Sequence, residues 1–112
     1  MERRDWLRVL DASLNRAREA ARVVEDVLRL GTPARPSAAA AARGLRHAVG
    51  DHRTALRIPE AERLAARDSR GDPGAAAAPV DDGAGDPLIR NLARLQEALR
   101  TVEEAARALG AD

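Results

Sequence analysis

Apolar residues recur at alternating intervals of three and four near both ends of this chain, and this spacing restricts its fold more than any other feature. In the first segment the apolar positions are Leu7, Leu10, Leu14, Ala17, Ala21, Val24 and Leu28. In the last segment they are Leu88, Leu92, Leu95, Leu99, Val102, Ala106 and Leu109. Such spacing draws one narrow apolar stripe along an α-helix, whereas a half-buried strand would alternate every second position. The chain is therefore predicted to be all-α, with long helices over about 5–30 and 87–109.

The middle of the chain predicts one more long helix, over about 36–57, and a short one, over about 59–67. Pro36 suits a first helical turn, and Pro59 separates the two helices. The apolar seam of the longer helix reads Ala38, Ala42, Leu45, Val49, His52 and Leu56. Residues 68–86 are rich in Gly, Pro, Asp and Ala and are predicted to form one long loop. The 112 residues are expected to form a single domain, 1–112, a small bundle of three long helices and a short one.

Composition argues against several classes of function. The 19 basic and 18 acidic residues nearly cancel, which is not typical of a dedicated nucleic-acid or membrane binder. There is no cysteine, and no stretch approaches the ~18 apolar residues of a membrane span. The charged first residues lack the apolar core of a signal peptide, so a cytoplasmic protein is expected. Every basic residue is Arg, so any phosphate contact by a cationic side chain must use the planar, bidentate guanidinium.

The two terminal helices carry the same charged pattern. It begins at Arg16 and again 78 positions later at Arg94, and reads R-x-x-E-A-x-R-x-x-E-[DE]-x-x-R. One interpretation is convergence, because Glu–Arg pairs three or four apart stabilise any exposed helix by ~0.2–0.5 kcal/mol each. The other is duplication of a binding site on two helices related by a pseudo-twofold axis. Most of these charges lie away from the apolar seam, which favours a solvated face.

Two asparagines and one loop segment are further candidates for polar ligand binding. Asn15 and Asn91 are unfavourable inside a helix, where the amide competes for backbone groups, so each could serve a ligand or Mg²⁺. A surface amide near a helix start is the alternative, above all for Asn91. Asp68 and Asp72 lie four apart in the segment ARDSRGDPG and suit Mg²⁺ and phosphate together, although Asp and Gly are also ordinary turn residues.

Four stretches of the chain resemble one known family in the same order: LDASLNRAREAARVVEDVLR, LRHAV, ARDSRGDPG and RNLARLQEALRTVEEAAR. From about Val9 to Leu109 the chain is similar to the monofunctional hydroxymethylpyrimidine-phosphate kinase of thiamine biosynthesis. That domain stands alone or is fused ahead of thiamine-phosphate synthase. After Gly74 this chain departs from the family, because an Ala run and DDGAGDP stand where relatives carry Gly-Thr.

The resemblance implies ATP-dependent phosphorylation of 4-amino-5-hydroxymethyl-2-methylpyrimidine phosphate to the pyrophosphate. It also implies that the unphosphorylated pyrimidine is not accepted. ATP is then the co-substrate, Mg²⁺ is expected to accompany it, and thiamine-phosphate synthase is a candidate partner.

The residue types suggest a division of roles in this transfer. The candidates for the catalytic step are Asn15, Asp26 and Asp68. The candidates for holding phosphate and substrate are Glu19, Arg22, Arg29, Arg67, Asn91, Arg94, Glu97 and Arg100. The candidates for holding Mg²⁺ are Glu25, Asp68 and Asp72. These groups must meet across an intramolecular cleft or between two copies, and a homodimer is expected because it would also relieve a thin core.

Two other interpretations stay open. One is a non-catalytic helical module, related to the same family, that dimerises or binds the synthase. The other is a charged helical bundle with no small ligand. The catalytic interpretation makes a structural prediction that the others do not: Arg22, Arg100 and Asp68 converge on one cavity.

Overall fold

A computed structural model describes residues 1–55, 60–67 and 85–110, with the backbone alone for residues 52–55, 60, 61 and 63. The described residues form four helices and no strand, which are α1 (Arg3–Leu30), α2 (Pro36–Ala55), α3 (Glu60–Ala66) and α4 (Pro87–Ala108). The predicted all-α class is therefore confirmed, and both ends of α1 and α4, the start of α2 and the end of α3 lie within two residues of the predicted ones. Of the predicted loop, the described part is Gly85 and Asp86. None of the helices in these ranges combines the length and the apolar run that a membrane crossing requires.

Glycine ends both long terminal helices, for two different reasons. The Gly31 N–H donates to the Val27 carbonyl at 2.9 Å, and a Cβ at Gly31 would lie only 2.5 Å from that oxygen. Only glycine permits this approach, although its φ is an ordinary −72°. Gly110, after α4, has φ +87°, the left-handed conformation that glycine adopts without a steric cost.

The start of α4 is capped by a side chain. Asp86 accepts a hydrogen bond from the Leu88 N–H at 2.9 Å, and Pro87 follows it in the first helical position. We expect Asp86→Ala to lower the free energy of unfolding by about 1 kcal/mol, because one N–H of the first turn then loses its acceptor. Urea denaturation measures the difference. Asp86→Ser keeps an acceptor and is the control, and an equal loss in both variants would contradict the capping role.

The first helix is the centre of the fold, because α2, α3 and α4 all pack on α1. The buried cluster that joins α1, α2 and α4 contains Leu10, Leu14, Ala17, Ala20, Ala21, Val49, Leu95, Ala98 and Ala105. Five of these nine residues are alanine, so the helices approach closely over a core with few large side chains. The seam predicted for α1 is buried from Leu7 to Val24 and half-buried at Leu28.

The seams predicted for α2 and α4 are confirmed in part, because Ala42, Val49 and Leu95 are buried as predicted while other positions differ. In α2 the buried residue is Ala39 rather than Ala38, and Leu45 is 48% exposed. In α4 Asn91 is buried, while Leu92 is 42% exposed. Both helices carry Ala or Leu on more than one face, so the apolar period alone does not fix which face turns to α1. The two last positions of the predicted α2 seam, 52 and 56, lie outside the described side chains.

Candidate functional site

An arginine-rich cleft of about 280 Å³ is formed by α1 and α2. Its lining residues are Asn15, Arg18, Glu19, Arg22 and Arg46. The first four share one face of α1, because residues three or four apart on a helix are neighbours. Arg46 is supplied by α2. We call this site the arginine cleft. Three of the predicted site residues therefore lie together, and two arginines join them that the predicted set did not contain.

The arginine cleft is electropositive and open to solvent. Among the described residues, it brings three guanidinium groups and one amide together with one carboxylate, that of Glu19. Arg18, Glu19 and Arg22 are exposed, whereas Asn15 and Arg46 are half-buried. A volume of about 280 Å³ is at the lower end of the range for small-ligand pockets. The arrangement suits a small anion whose oxygens can accept several charged hydrogen bonds.

A partly buried ion pair holds one wall of the arginine cleft. Arg46 Nε donates to Glu25 Oε2 at 2.9 Å, and the two side chains are 21% and 12% exposed. This hydrogen bond lowers the pKa of Glu25, although burial of the carboxyl opposes the effect. Glu25 was predicted to hold Mg²⁺, and in the structure its carboxylate faces a guanidinium instead.

A second ion pair fastens the end of α3 to α1. Arg67 donates to both carboxylate oxygens of Asp11 at 2.8 Å, and the Asp11 side chain is only 6% exposed. Arg3 and Glu62, which pair at 2.8 Å, make a second and more exposed link between the same helices. Arg67, predicted as a phosphate ligand, thus satisfies a buried carboxylate. The signal in the sequence was Asp11 itself, a charge beside the apolar seam.

Two predicted site residues near the end of α1, Asp26 and Arg29, pair with each other. Arg29 donates to Asp26 at 3.3 Å, and both side chains are at least half exposed. Neither residue lines the arginine cleft. Asp68 and Asp72, the remaining acidic candidates, lie outside the described residues.

Four charged residues of α4, which are Arg100, Glu103, Glu104 and Arg107, form pairs within their own helix. Arg100 is 67% exposed and lies 3.5 Å from Glu103 and 3.1 Å from Glu104. Arg94 and Glu97 are exposed as well, and neither they nor Arg100 line the arginine cleft. The second copy of the charged pattern therefore has the solvated face that the convergence interpretation describes, while Glu19 and Arg22 of the first copy line the arginine cleft.

The internal repeat nevertheless extends to two buried polar residues. Ser13 and Asn91, also 78 positions apart, are both buried. Ser13 Oγ donates to the Val9 carbonyl at 2.6 Å, and Asn91 Nδ2 donates to the Pro87 carbonyl at 2.7 Å. Both bonds run back four residues along the same helix. Asn91, a predicted ligand residue, thus donates to its own backbone.

The described carboxylates can be examined for a magnesium site. No group of three or more His, Cys, Asp or Glu side chains in the described ranges is arranged to hold a metal. Magnesium, however, is commonly held by one or two carboxylates together with substrate phosphates and water. Glu19 lies in the arginine cleft and fits that requirement once a phosphate is bound.

Comparison with known proteins places the chain in a family. Two curated proteins named thiamine-phosphate synthase are similar to it. That of Gloeobacter violaceus is 45% identical over 111 residues, which cover 95% of this chain and 30% of that protein. That of Thermosynechococcus vestitus is 40% identical over 103 residues, which cover 87% of this chain and 27% of that protein. The chain therefore spans less than a third of the length of these relatives.

No solved structure matches the chain. The sequence profile of the ThiD2 family matches residues 8–112, nearly the whole length, including both copies of the repeat and the segment that links them. With this match and the two similar proteins, the chain belongs to the ThiD2 family.

Proposed function

We propose that this chain acts in thiamine biosynthesis as a kinase that transfers the γ-phosphoryl group of ATP to 4-amino-5-hydroxymethyl-2-methylpyrimidine phosphate. Membership of the ThiD2 family and the name of the two relatives support a role in this biosynthesis. The observation that carries the kinase proposal is the arginine cleft, because three guanidinium groups around a small opening suit a phosphate group. The relatives are more than three times longer than this chain, so the activity in their name is not assigned to the region that matches it.

The chemistry requires charge neutralisation more than base catalysis. A phosphate oxygen of the acceptor attacks the γ-phosphorus of ATP, the bond from that phosphorus to the β–γ bridging oxygen breaks, and ADP leaves. The attacking oxygen is already anionic, so no strong base has to remove a proton. The main barrier is the approach of two polyanions, which Arg18, Arg22 and Arg46 would lower by neutralising phosphate charge. Mg²⁺, when bound, supplies further neutralisation at the ATP phosphates.

The remaining lining residues have roles that match their chemistry. Asn15 is half-buried at the cleft, and its amide can both donate and accept a hydrogen bond, which suits the amino group and ring nitrogens of the pyrimidine. Glu19 would hold Mg²⁺ together with phosphate oxygens. Asp26, Asp68 and Asp72 stay predictions, since the first pairs with Arg29 and the other two lie outside the described residues.

The test is a turnover assay on the full chain with ATP, Mg²⁺ and the pyrimidine phosphate. ADP release is measured by a coupled enzyme system, and the diphosphate product is measured by ³¹P NMR. We expect one diphosphate formed for each ADP released, and no turnover with the unphosphorylated pyrimidine, which offers no phosphate for the arginine cleft.

A folded protein that releases no ADP under these conditions would contradict the kinase proposal. That result would favour the alternative, a non-catalytic helical module that binds a partner such as thiamine-phosphate synthase. The homodimer also stays a prediction. Sedimentation equilibrium decides it independently of turnover.

A further inference from the structure

Glu25 lies next to the arginine cleft without lining it. It follows Arg22 by three positions on α1, and it accepts a hydrogen bond from Arg46 across the junction between α1 and α2. Both side chains of this pair are largely covered, at 12% and 21% exposed. A covered pair is screened less by water and salt than the surface pairs of α4, so its geometry is held more firmly.

The hydrogen bond fixes the orientation of one guanidinium. Arg46 donates this bond through its Nε–H. The two Nη groups of the same planar guanidinium are then the donors that Arg46 offers to a ligand. Arg18 and Arg22 are exposed on the same cleft, and Arg46 is the one lining arginine that the described residues tie to a carboxylate. An arginine held in this way loses less side-chain entropy when it binds an anion.

The surroundings of Glu25 keep its carboxylate ionised. The hydrogen bond from Arg46 lowers its pKa most, and the charges of Arg46, Arg43 and Arg29 act in the same direction against the effect of burial. A carboxylate that accepts a hydrogen bond from one guanidinium, with further positive charges nearby, has the surroundings of a structural partner for arginine.

We propose that Glu25 is a positioning residue, which holds Arg46 so that the arginine cleft receives one phosphate monoester group. The inference rests on the proposed function for the choice of ligand. The sign of the charge agrees with that choice, since among the described residues the three lining arginines outnumber Glu19 and the paired Glu25. A phosphate monoester carries about −1.5 to −2 at neutral pH.

Binding of inorganic phosphate to the full chain tests this without ATP or pyrimidine. Calorimetry gives the Kd for the unaltered chain, Arg46→Ala, Glu25→Gln and the double variant. We expect binding about 10-fold weaker in Arg46→Ala, and about 3- to 10-fold weaker in Glu25→Gln, from the loss of a charged hydrogen bond and of the alignment. The double variant should be no weaker than Arg46→Ala, because Glu25 acts only through Arg46.

The repeat supplies a matched control. Glu103 occupies the position in α4 that Glu25 occupies in α1, and it too pairs with arginines, but it is 45% exposed. Glu103→Gln should leave the phosphate Kd within about twofold, as is usual for exposed pairs. The Nε–H signal of Arg46 in a ¹⁵N–¹H spectrum is a second readout, which phosphate should shift in the unaltered chain and not in Glu25→Gln.

Three results would overturn the inference. They are unchanged or tighter phosphate binding in Glu25→Gln, additive losses in the double variant, and an Arg46 signal that phosphate shifts equally in both proteins. Circular dichroism and urea midpoints establish that each variant is folded, and Glu25→Gln preserves side-chain shape. If the effects of Glu25 and Arg46 on phosphate binding are coupled but the chain shows no turnover, this inference holds and the kinase proposal is refuted. If the chain shows turnover but the two effects are additive, the kinase proposal holds and this inference is refuted.

Discussion

Arg22→Ala should lower kcat/KM for the pyrimidine phosphate by about 100-fold, which corresponds to about 2.7 kcal/mol of transition-state stabilisation. Arg22 is one of three guanidinium groups lining the arginine cleft, and it is exposed there. Its loss leaves phosphate charge uncompensated when the two anions are closest. Steady-state kinetics with the acceptor varied at saturating ATP measures the effect, and Arg22→Lys should recover only part of the loss because lysine lacks the bidentate fork.

The repeat provides the comparison for this experiment. Arg100 lies 78 positions after Arg22 and, like Arg22, has a glutamate three positions before it and another three positions after it. It is, however, 67% exposed and pairs with Glu103 and Glu104. We expect Arg100→Ala to cost less than about threefold in kcat/KM, since exposed pairs contribute little. Equal losses in the two variants would support the duplicated site that the sequence alone leaves open, and would contradict a site confined to α1 and α2.

Leu14→Ala should lower the free energy of unfolding by about 3 kcal/mol, the largest effect on stability that we expect. Leu14 is 1% exposed and belongs to the cluster that joins α1 to α4. Truncation removes buried apolar surface and leaves a cavity among neighbours that are mostly alanine. Such small side chains can fill little of the space, so the cavity cost is retained. Urea denaturation, analysed with one m-value for both proteins, gives the difference in the free energy of unfolding.

Leu92 is the matched control, because it lies 78 positions after Leu14 and occupies the corresponding position in α4. It is 42% exposed, so Leu92→Ala should cost less than about 1 kcal/mol. A loss at Leu92 as large as that at Leu14 would mean that α4 buries the face described here as exposed. It would also fit the predicted homodimer, which sedimentation of the same variant would then reveal.

The local features of this chain were predictable from its residues. The period of the apolar positions indicated the helices. Pro36 and Pro87 at helix starts, and Gly31 and Gly110 at helix ends, located these boundaries within two residues. Each of these signals depends on contacts between residues at most a few positions apart, such as the bond from Leu88 to Asp86. Propensity and capping act at that range.

The candidate site was only partly predictable. Asn15, Glu19 and Arg22 share one helical face, and that juxtaposition follows from spacing alone. Arg46 and Glu25 are 21 positions apart, and Arg67 and Asp11 are 56 apart. Both pairings depend on how α2 and α3 are rotated against α1. The sequence does not determine this rotation where a helix carries apolar residues on more than one face.

The residues by themselves determined an all-α chain, its helix boundaries, its family resemblance and the arginine-only supply of cations. Tertiary structure alone decided which copy of the repeated pattern faces a cleft. The physical reason is packing. The α1 copy has α2 beside it, which covers Glu25 and contributes Arg46, whereas the α4 copy pairs its charges along its own helix in water. The same residues of the repeated pattern therefore have different surroundings in α1 and α4, because burial and charge pairing depend on which neighbouring helix is present.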